Sequence, residues 1–309
     1  MIKNSLNKMD KQNKYWLIVF FSALIMGTEA VLVKLSYAGN MSMNMLVLFR
    51  SVVGFICFSS AAIITKKHIF PEKKNVFRVL RAAFFNTLNT VFLFTAYSYL
   101  PAGLAILFFY VSPSFTIIFA RLIYKEAIKL SRVLAITVAA TGLILLFWTS
   151  AADISIIGVF YAILGAACSA LYNVFVGDLL DEVPVETYAS TQYLFATFFY
   201  IVIFAPMSKL AFDFTAGGAF WAVCVGIFAT FIPIYMLITG MRYIGPVKAS
   251  ITYMLEAPTS VILAYFVFGD TLTPVQLLGA ACILMGVAIP QIFDMVEAKK
   301  HIRPAQLNL

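Results

Sequence analysis

Long apolar runs and short polar segments alternate along the whole chain. The apolar runs are about 20 residues long, which is the length of an α-helix that crosses the hydrocarbon core of a bilayer. Residues 105–120, AILFFYVSPSFTIIFA, show no polar–apolar alternation with a period of two, so they do not match a strand of a membrane barrel. Backbone groups in lipid need partners within their own segment, and the runs are therefore predicted to be helices.

The pattern predicts an all-α membrane protein with ten transmembrane helices. We place the spans at about residues 15–35, 44–65, 79–99, 103–123, 132–150, 156–177, 187–206, 219–240, 249–268 and 275–293. The first run is longer than the core of a signal peptide and has no clear small-residue cleavage site, so we expect it to be retained.

Composition supports this class and excludes several others. The chain of 309 residues is 62% hydrophobic and 12% charged, values that a soluble domain rarely reaches. The formal net charge is +8, but the basic residues flank the predicted spans, so they indicate membrane orientation and not a nucleic-acid partner. The four cysteines stand singly in apolar runs and both histidines lie in basic loops, so we expect no metal and no cofactor.

The distribution of Lys and Arg predicts which side the loops face. With the N-terminus inside, the cytoplasmic segments are 1–14, 66–81, 121–132, 178–186, 241–248 and 294–309, and 19 of the 22 basic residues fall in them. This bias places both termini in the cytoplasm. Segment 178–186 is an exception, because it carries acidic residues and no basic one.

The second half of the chain repeats the first. Residues 97–142 align with residues 241–286 at an offset of 145 that changes to 144 after a one-residue gap. The matched pairs are Pro101 with Pro246, Pro113 with Pro258, Glu126 with Asp270 and Gly142 with Gly286. Five spans in each half reverse the orientation of the second copy, so we predict two inverted five-helix repeats, residues 1–150 and 151–309, with a site at their interface.

The loops support this inversion independently. Segment 121–132 has four basic residues, whereas its counterpart 269–274 has none. Segment 66–81 is the most basic in the chain, and its counterpart 207–218 keeps only Lys209. Related sequences with opposite charge bias are expected to face opposite sides of the membrane.

Four ionisable side chains inside the predicted spans are candidates for a substrate or proton site. They are Glu29, Lys34, Arg50 and Glu256. Such residues are expensive in lipid and usually face a cavity or a partner. A carboxylate could bind a cationic group or titrate, and an arginine could bind a carboxylate in bidentate fashion. The structural alternative is that Arg50 pairs with a carboxylate or caps carbonyls, and that Lys34 extends to the outer surface.

Two prolines in matching positions predict interrupted helices. Proline has no backbone N–H, so Pro258 is expected to leave the carbonyl of Met254 without a donor, and Pro113 is expected to leave that of Phe109 without one. Interruptions at corresponding positions of two halves indicate a binding site near the bilayer midplane. A kink that serves packing is the alternative. Val111 occupies the place of Glu256 in the first half, so the predicted site is asymmetric.

Polar and aromatic residues at helical spacing could complete the lining of a chamber. In span three, Asn86, Asn89 and Tyr97 fall on one face. The other candidates are Tyr110, Tyr172, Asn173, Gln192, Tyr193, Tyr235 and Tyr253. Each of these could instead serve helix packing. Spans five and ten carry small residues and few polar groups, so we predict that they are scaffold or dimer helices away from the pathway.

The chain resembles the EamA-type transporters of the drug/metabolite transporter superfamily over nearly its full length. The resemblance is carried by residues 48–54, LFRSVVG, by 99–102 with Ser112-Pro113, by Lys125-Glu126 and Thr141-Gly142, and by 243–258, 269–273 and 277–286. It implies ten spans, a central cavity and alternating access, in a family of bacterial inner-membrane carriers of amino acids and other small metabolites. Asp270 replaces the usual Glu, and the resemblance gives no role to Glu256.

We therefore predict a secondary transporter in the inner membrane that exports or exchanges a small polar metabolite, an amino acid or an amine-bearing compound. The sequence has no GxxxxGK[ST] loop, so a gradient would drive transport; proton coupling and a homodimer are both open. An intramembrane enzyme would need a nucleophile–base or metal constellation, and no span contains a histidine. A membrane scaffold or assembly protein without transport is the other alternative, which the intramembrane charges disfavour.

Overall fold

The computed structural model describes residues 2–100, 102–147, 155–204, 213–269 and 273–306, and all the secondary structure in these ranges is helical. The helices are α1 (Ile2–Met26), α2 (Glu29–Ala38), α3 (Met43–Ile64), α4 (Lys73–Tyr97), α5 (Ala102–Phe109), α6 (Ser112–Tyr124), α7 (Leu130–Leu146), α8 (Ile156–Leu179), α9 (Val185–Phe204), α10 (Ala216–Gly226), α11 (Ile232–Ile244), α12 (Pro246–Tyr253), α13 (Glu256–Phe268) and α14 (Pro274–Gln306). A π-helical segment, Ile227–Phe231, joins α10 to α11. Pro101 and Asp270, which the repeat alignment uses, lie outside the described residues.

Eight helical segments of the described chain are long and apolar enough to cross a membrane. They coincide with eight of the ten predicted spans, and several combine two of the helices above. The ranges are Lys11–Ala38, Met43–Ile64, Lys73–Tyr97, Leu104–Tyr124, Ile156–Leu179, Ala216–Ile244, Pro246–Phe268 and Pro274–Asp294. Predicted spans five and seven correspond to α7, an apolar helix of 17 residues, and to α9, which has 20 residues. The full count of ten and the side that each end faces remain predictions.

Three of the predicted spans are interrupted near their middle. Short turns separate α1 from α2 at residues 27–28, α5 from α6 at residues 110–111, and α12 from α13 at residues 254–255. The last two interruptions are 144 residues apart and stand just before Pro113 and Pro258. Proline fits the first turn of a helix, where no backbone donor is needed.

The expected effect of Pro258 on its own backbone is wrong in one detail. The carbonyl of Met254 is not left without a donor, because the Ala257 N–H donates to it at 3.4 Å. The Leu255 N–H likewise bonds to the carbonyl of Thr252 at 3.2 Å. At this interruption the backbone hydrogen bonds join residues three positions apart, as in a 3₁₀-helical turn. The helix is therefore tightened here and not unwound.

The helices pack in pairs that reflect the sequence repeat. α7 packs along α14, and α3 packs along α9. α4 packs along α8, and α1 packs along α11. The counterpart of each predicted span lies five spans away in the other half. Replacing every span by its counterpart leaves the α7–α14 and α3–α9 pairs unchanged, and it converts the α4–α8 pair into the α11–α1 pair. Helices in lipid associate through close packing, since lipid is as apolar as their side chains.

A close backbone contact holds the α7–α14 pair together. A Cβ atom added to Gly142 would lie 2.5 Å from the Gly279 carbonyl oxygen and 2.8 Å from the Ile283 amide nitrogen. Only glycine leaves room for this approach. Neither helix contributes a described residue to the cavity that is reported below, as expected for scaffold helices.

The Gln291 amide of α14 donates to the Asn13 side chain of α1 at 2.6 Å, so the start of the first predicted span and the end of the tenth lie at one end of the molecule. We call this the terminal end, and the opposite end, with residues 39–42, the far end. Toward the terminal end, buried side chains of α1, α3, α4, α8, α9, α11 and α12 form the largest hydrophobic cluster. This cluster closes the molecule on that side.

The acidic segment 178–186 lies at the terminal end among basic side chains. Arg78 of α4 forms ion pairs with Asp178 at 2.9 Å and with Glu182 at 3.0 Å. Arg242 of α11 lies 3.5 Å from Asp181. Basic side chains of neighbouring helices therefore pair with the acidic residues of this segment.

Candidate functional site

A cavity of about 610 Å³ lies between the interrupted helices and opens at the far end. Lys34 and Tyr37, in the last turns of α2, line it and are exposed. Tyr172, Met241 and Ala249 line its opposite end and are buried. The volume falls within the range of small-molecule sites.

Most of the predicted site residues meet in this cavity. Twelve of the fourteen candidates line it, and so does Pro113. The twelve are Glu29, Lys34, Arg50, Asn86, Asn89, Tyr97, Tyr110, Tyr172, Asn173, Tyr193, Tyr253 and Glu256. Pro258 is buried in the first turn of α13 and does not line the cavity.

Two of the predicted residues lie elsewhere. Gln192 is buried in α9 outside the cavity lining. Tyr235 faces away from the cavity, and its hydroxyl donates to the Glu186 carboxylate at 2.8 Å. Their placement in a cavity wall was wrong because one sequence cannot show which face of a buried helix meets a space and which meets another helix.

Glu29 and Arg50 form an ion pair inside the cavity. Glu29 is the first residue of α2, and Arg50 is in α3. Each side chain is 20% exposed, so water screens the pair only partly. Arg50 therefore has the carboxylate partner that is expected if its role is to hold helices together.

Glu256 is the first residue of α13, directly after an interruption. The described basic residues form no ion pair with it, although Arg50 and Glu29 are near enough to act on it electrostatically. Tyr110 lines the same cavity and lies near enough to Glu256 to act on it electrostatically. A helix N-terminus favours negative charge through its free N–H groups, so the backbone of α13 helps to hold a carboxylate here.

The interruption that carries Glu29 packs against the helix that carries Glu256. A Cβ atom on Gly27 would lie 2.6 Å from the Thr259 side chain. Glycine at this position therefore lets the turn between α1 and α2 approach α13. The two carboxylates both stand at the start of a half-helix, and these half-helices touch.

Lys34 stands at the mouth of the cavity. Its ammonium lies 4.0 Å from the centre of the Phe268 ring, a cation–π contact between α2 and α13. The side chain is exposed, in agreement with the expected extension toward a surface. It is therefore placed to meet a solute that enters from the far end.

Hydrogen-bonded side chains form the deeper wall. The Asn173 amide donates to the Ser250 hydroxyl at 3.1 Å, which lies 3.4 Å from the Thr116 hydroxyl. The Tyr253 and Ser22 hydroxyls are 2.8 Å apart. These bonds tie α8, α12, α6 and α1 together around the cavity and fix the lining side chains.

Sequence reasoning missed several lining residues. Tyr37, Tyr200 and Ser250 contribute to the wall and were not candidates. Tyr200 follows Tyr193 by seven residues, which is two turns of the same helix face, so the helical period could have found it. Ser250 carried no signal, because a lone serine in an apolar run usually bonds to its own backbone.

The described residues contain no group of three or more His, Cys, Asp or Glu side chains that could hold a metal ion. The cavity wall offers two carboxylates, a guanidinium, amides, hydroxyls and aromatic rings, which can recognise a polar solute.

Family comparison adds to this geometry. The model of the EamA-like transporter family matches the chain twice, over residues 13–148 and 156–290. A protein of Archaeoglobus fulgidus named "Uncharacterized transporter" is 26% identical over 276 residues, which cover 88% of this chain and 94% of that protein. The "Uncharacterized transporter YdfC" of Bacillus subtilis is 21% identical over 244 residues, 78% of this chain and 79% of its own length.

A solved structure has the same fold. It is titled "Crystal structure of protein" and matches with a TM-score of 0.80 at 17% identity. The match covers 91% of this chain and 98% of that one. Identity this low is evidence for the fold alone.

Proposed function

Because the chain belongs to the EamA-like transporter family, we propose that this membrane transporter is a secondary carrier of a small polar metabolite with an amino group. Its substrate is an amino acid or another amine-bearing compound. It works by alternating access in the inner membrane, as an exporter or exchanger.

The observation that carries this proposal is Glu256. A carboxylate in the membrane region needs a counter-charge or a bound proton, and no described basic residue forms an ion pair with it. A protonated amine in the cavity supplies that charge. The rings of Tyr97, Tyr110 and Tyr253 stand in the same wall, where they can contact a cation through their faces.

The place of a substrate carboxylate follows from Arg50. Its guanidinium has five N–H donors in a planar fork, and the bond to Glu29 uses only part of them. An amino acid would share Arg50 with Glu29 while its amine meets Glu256. A simple amine would leave the ion pair undisturbed.

The exchange of helix pairs between the halves and the double family match support two inverted five-helix repeats, residues 1–150 and 151–309. In such a carrier the cavity that opens at the far end is one of two alternating states. The basic loops at the terminal end support a cytoplasmic position for both termini. A proton on Glu256 that exchanges for the amine would couple transport to a proton gradient.

The homodimer is a separate proposal, for which α7 and α14 are the candidate helices.

A thermal-shift screen tests the substrate class. The purified protein is heated with panels of amines, amino acids and carboxylates that lack an amine. A bound amine at 100 times its dissociation constant stabilises the fold by about 2.7 kcal/mol. Glu256→Gln removes the response, whereas Glu126→Gln, which changes a carboxylate at the terminal end, keeps it.

Counterflow in proteoliposomes then tests transport of any amine that stabilises the protein. Accelerated uptake of labelled amine into vesicles loaded with the unlabelled compound is expected. If carboxylates without an amine stabilise the protein and amines do not, the assignment of Glu256 is wrong. A stabilising amine that shows no counterflow would favour a membrane scaffold that binds ligand without transport.

A further inference from the structure

Two tyrosines of the hydrophobic cluster at the terminal end, and one glutamine near them in sequence, carry buried polar atoms. Tyr172 of α8 lines the cavity floor. Tyr188 and Gln192 of α9 lie beside it, outside the lining, and both are buried. They are one helical turn apart, so they share a face of α9. We call these three residues the polar cluster.

Four polar atoms of the cluster lack a hydrogen-bond partner. They are the Tyr172 and Tyr188 hydroxyl oxygens and both amide atoms of Gln192. Tyr172 nevertheless lies near both Tyr188 and Gln192. The groups therefore face one another without direct bonds of good geometry.

Leaving these atoms unpaired is costly in a packed apolar region. A buried polar group without a partner loses its hydrogen bonds to water and gains none in return, and lipid around the helices offers no alternative partner. Apolar side chains of similar shape would seal this end of the molecule at lower cost. A state in which the helices separate, or a polar molecule that passes between them, would supply these atoms with partners.

The position of the cluster indicates which molecule that is. Tyr172 touches the cavity, and the other two residues lead from it along α9 toward the helix start at Val185, at the terminal end. Hydroxyl and amide groups can accept hydrogen bonds from an ammonium group as it leaves the Glu256 carboxylate.

We infer that Tyr172, Tyr188 and Gln192 line the route by which the amine-bearing substrate passes between the cavity and the terminal end. This inference rests on the proposed transport function. In the structure the route is closed by the surrounding apolar side chains. In the opposite state α9 separates from α8, and the cluster becomes wet.

Cysteine labelling tests the route without a known substrate. Cys57, Cys168, Cys224 and Cys282 are first replaced by alanine. Gln192→Cys is then compared with Ile283→Cys, a fully buried position in the α7–α14 contact. The protein in proteoliposomes is treated with a membrane-impermeant maleimide on both sides. We expect the thiol at position 192 to react about tenfold faster or more, because opening of the route exposes it to water.

Equal labelling rates at positions 192 and 283 would overturn the inference. If Gln192→Cys fails to fold, Tyr188→Cys serves as the second variant. Labelling reports opening even when no substrate is known, so fast labelling without any stabilising amine would refute the proposed substrate class and keep the route.

A matched pair of apolar substitutions gives an independent readout. Gln192→Leu removes unpaired atoms and is expected to raise Tm while it slows counterflow about tenfold or more. Gln291→Leu changes a buried glutamine that bonds to Asn13 away from the cavity. It is expected to lower Tm and to leave counterflow unchanged. Unchanged counterflow in Gln192→Leu would assign the cluster to packing alone.

Discussion

Glu29 and Arg50 form an ion pair between the first residue of α2 and α3, in the wall of the cavity. The pair neutralises two of the intramembrane charges against each other. Glu256 is then the carboxylate of the cavity without an ion-pair partner among the described residues. The ion pair thus defines which of the two acidic groups is available to a ligand.

Removing one member of this pair is expected to destabilise the protein more than removing both. Glu29→Gln or Arg50→Gln leaves one charge unpaired in a poorly hydrated place, with an expected loss of about 1–3 kcal/mol. The double variant removes that uncompensated charge, so the effects are non-additive. Thermal unfolding of the four proteins in one detergent measures this coupling, and additive losses would contradict it.

Loss of the Tyr110 hydroxyl is expected to weaken amine binding. Tyr110→Phe removes a hydroxyl near Glu256 and keeps the ring, so the dissociation constant for the amine should rise about three- to tenfold. Tyr265→Phe is the matched control, because Tyr265 lies on α13 with an exposed side chain outside the cavity. Isothermal titration calorimetry measures the dissociation constant of both variants. An equal change in both would show that the Tyr110 hydroxyl does not contribute to amine binding.

A methyl group at Gly142 is expected to disrupt the scaffold pair. Gly142→Ala places a Cβ atom against the Gly279 backbone, with an expected loss of about 1–3 kcal/mol. Gly217→Ala adds the same methyl group where its nearest neighbour is 3.7 Å away, and alanine favours a helix by about 1 kcal/mol over glycine. The Tm should therefore fall in the first variant and hold or rise in the second. A similar Tm for both would show that α7 and α14 tolerate separation.

Acidification is expected to loosen segment 178–186. The hydrogen bond from Arg78 lowers the pKa of Glu182 below its ordinary value of 4.5. A lowered pKa means that the contribution to stability is present above pH 4.5 and is lost as the pH falls through the folded-state pKa. Proteolysis of this segment should increase below that pH in the native protein. In Glu182→Gln the increase in proteolysis should be smaller. Identical pH profiles of proteolysis for the two proteins would show that the Arg78–Glu182 pair does not stabilise the segment.

The sequence predicted the helical spans well because length and hydropathy report directly on the bilayer. It also predicted the interruptions before Pro113 and Pro258, since proline has no backbone donor. It did not predict the turn at residues 27–28 between α1 and α2, where the reason is a tertiary contact of Gly27 with Thr259. That contact joins residues more than 200 positions apart, and no local pattern encodes it.

The candidate site followed from the high cost of charge in lipid. That argument found Glu29, Arg50 and Glu256, but it could not show that the first two pair with each other. The separate argument from polar and aromatic side chains failed for Gln192 and Tyr235, because the polarity of a side chain does not specify whether a cavity or another helix faces it. The direction of each helix face is set by packing among ten or so segments together.

Val111 and Glu256 occupy equivalent positions of the two halves, and the difference between them affects more than substrate recognition. If transport exchanges the conformations of the two halves, the two end states do not bury the same groups, and their free energies differ. Such a carrier rests mostly in one state when empty. Its dwell times on the two sides of the membrane would then be unequal, and the ligand that meets Glu256 would change their ratio.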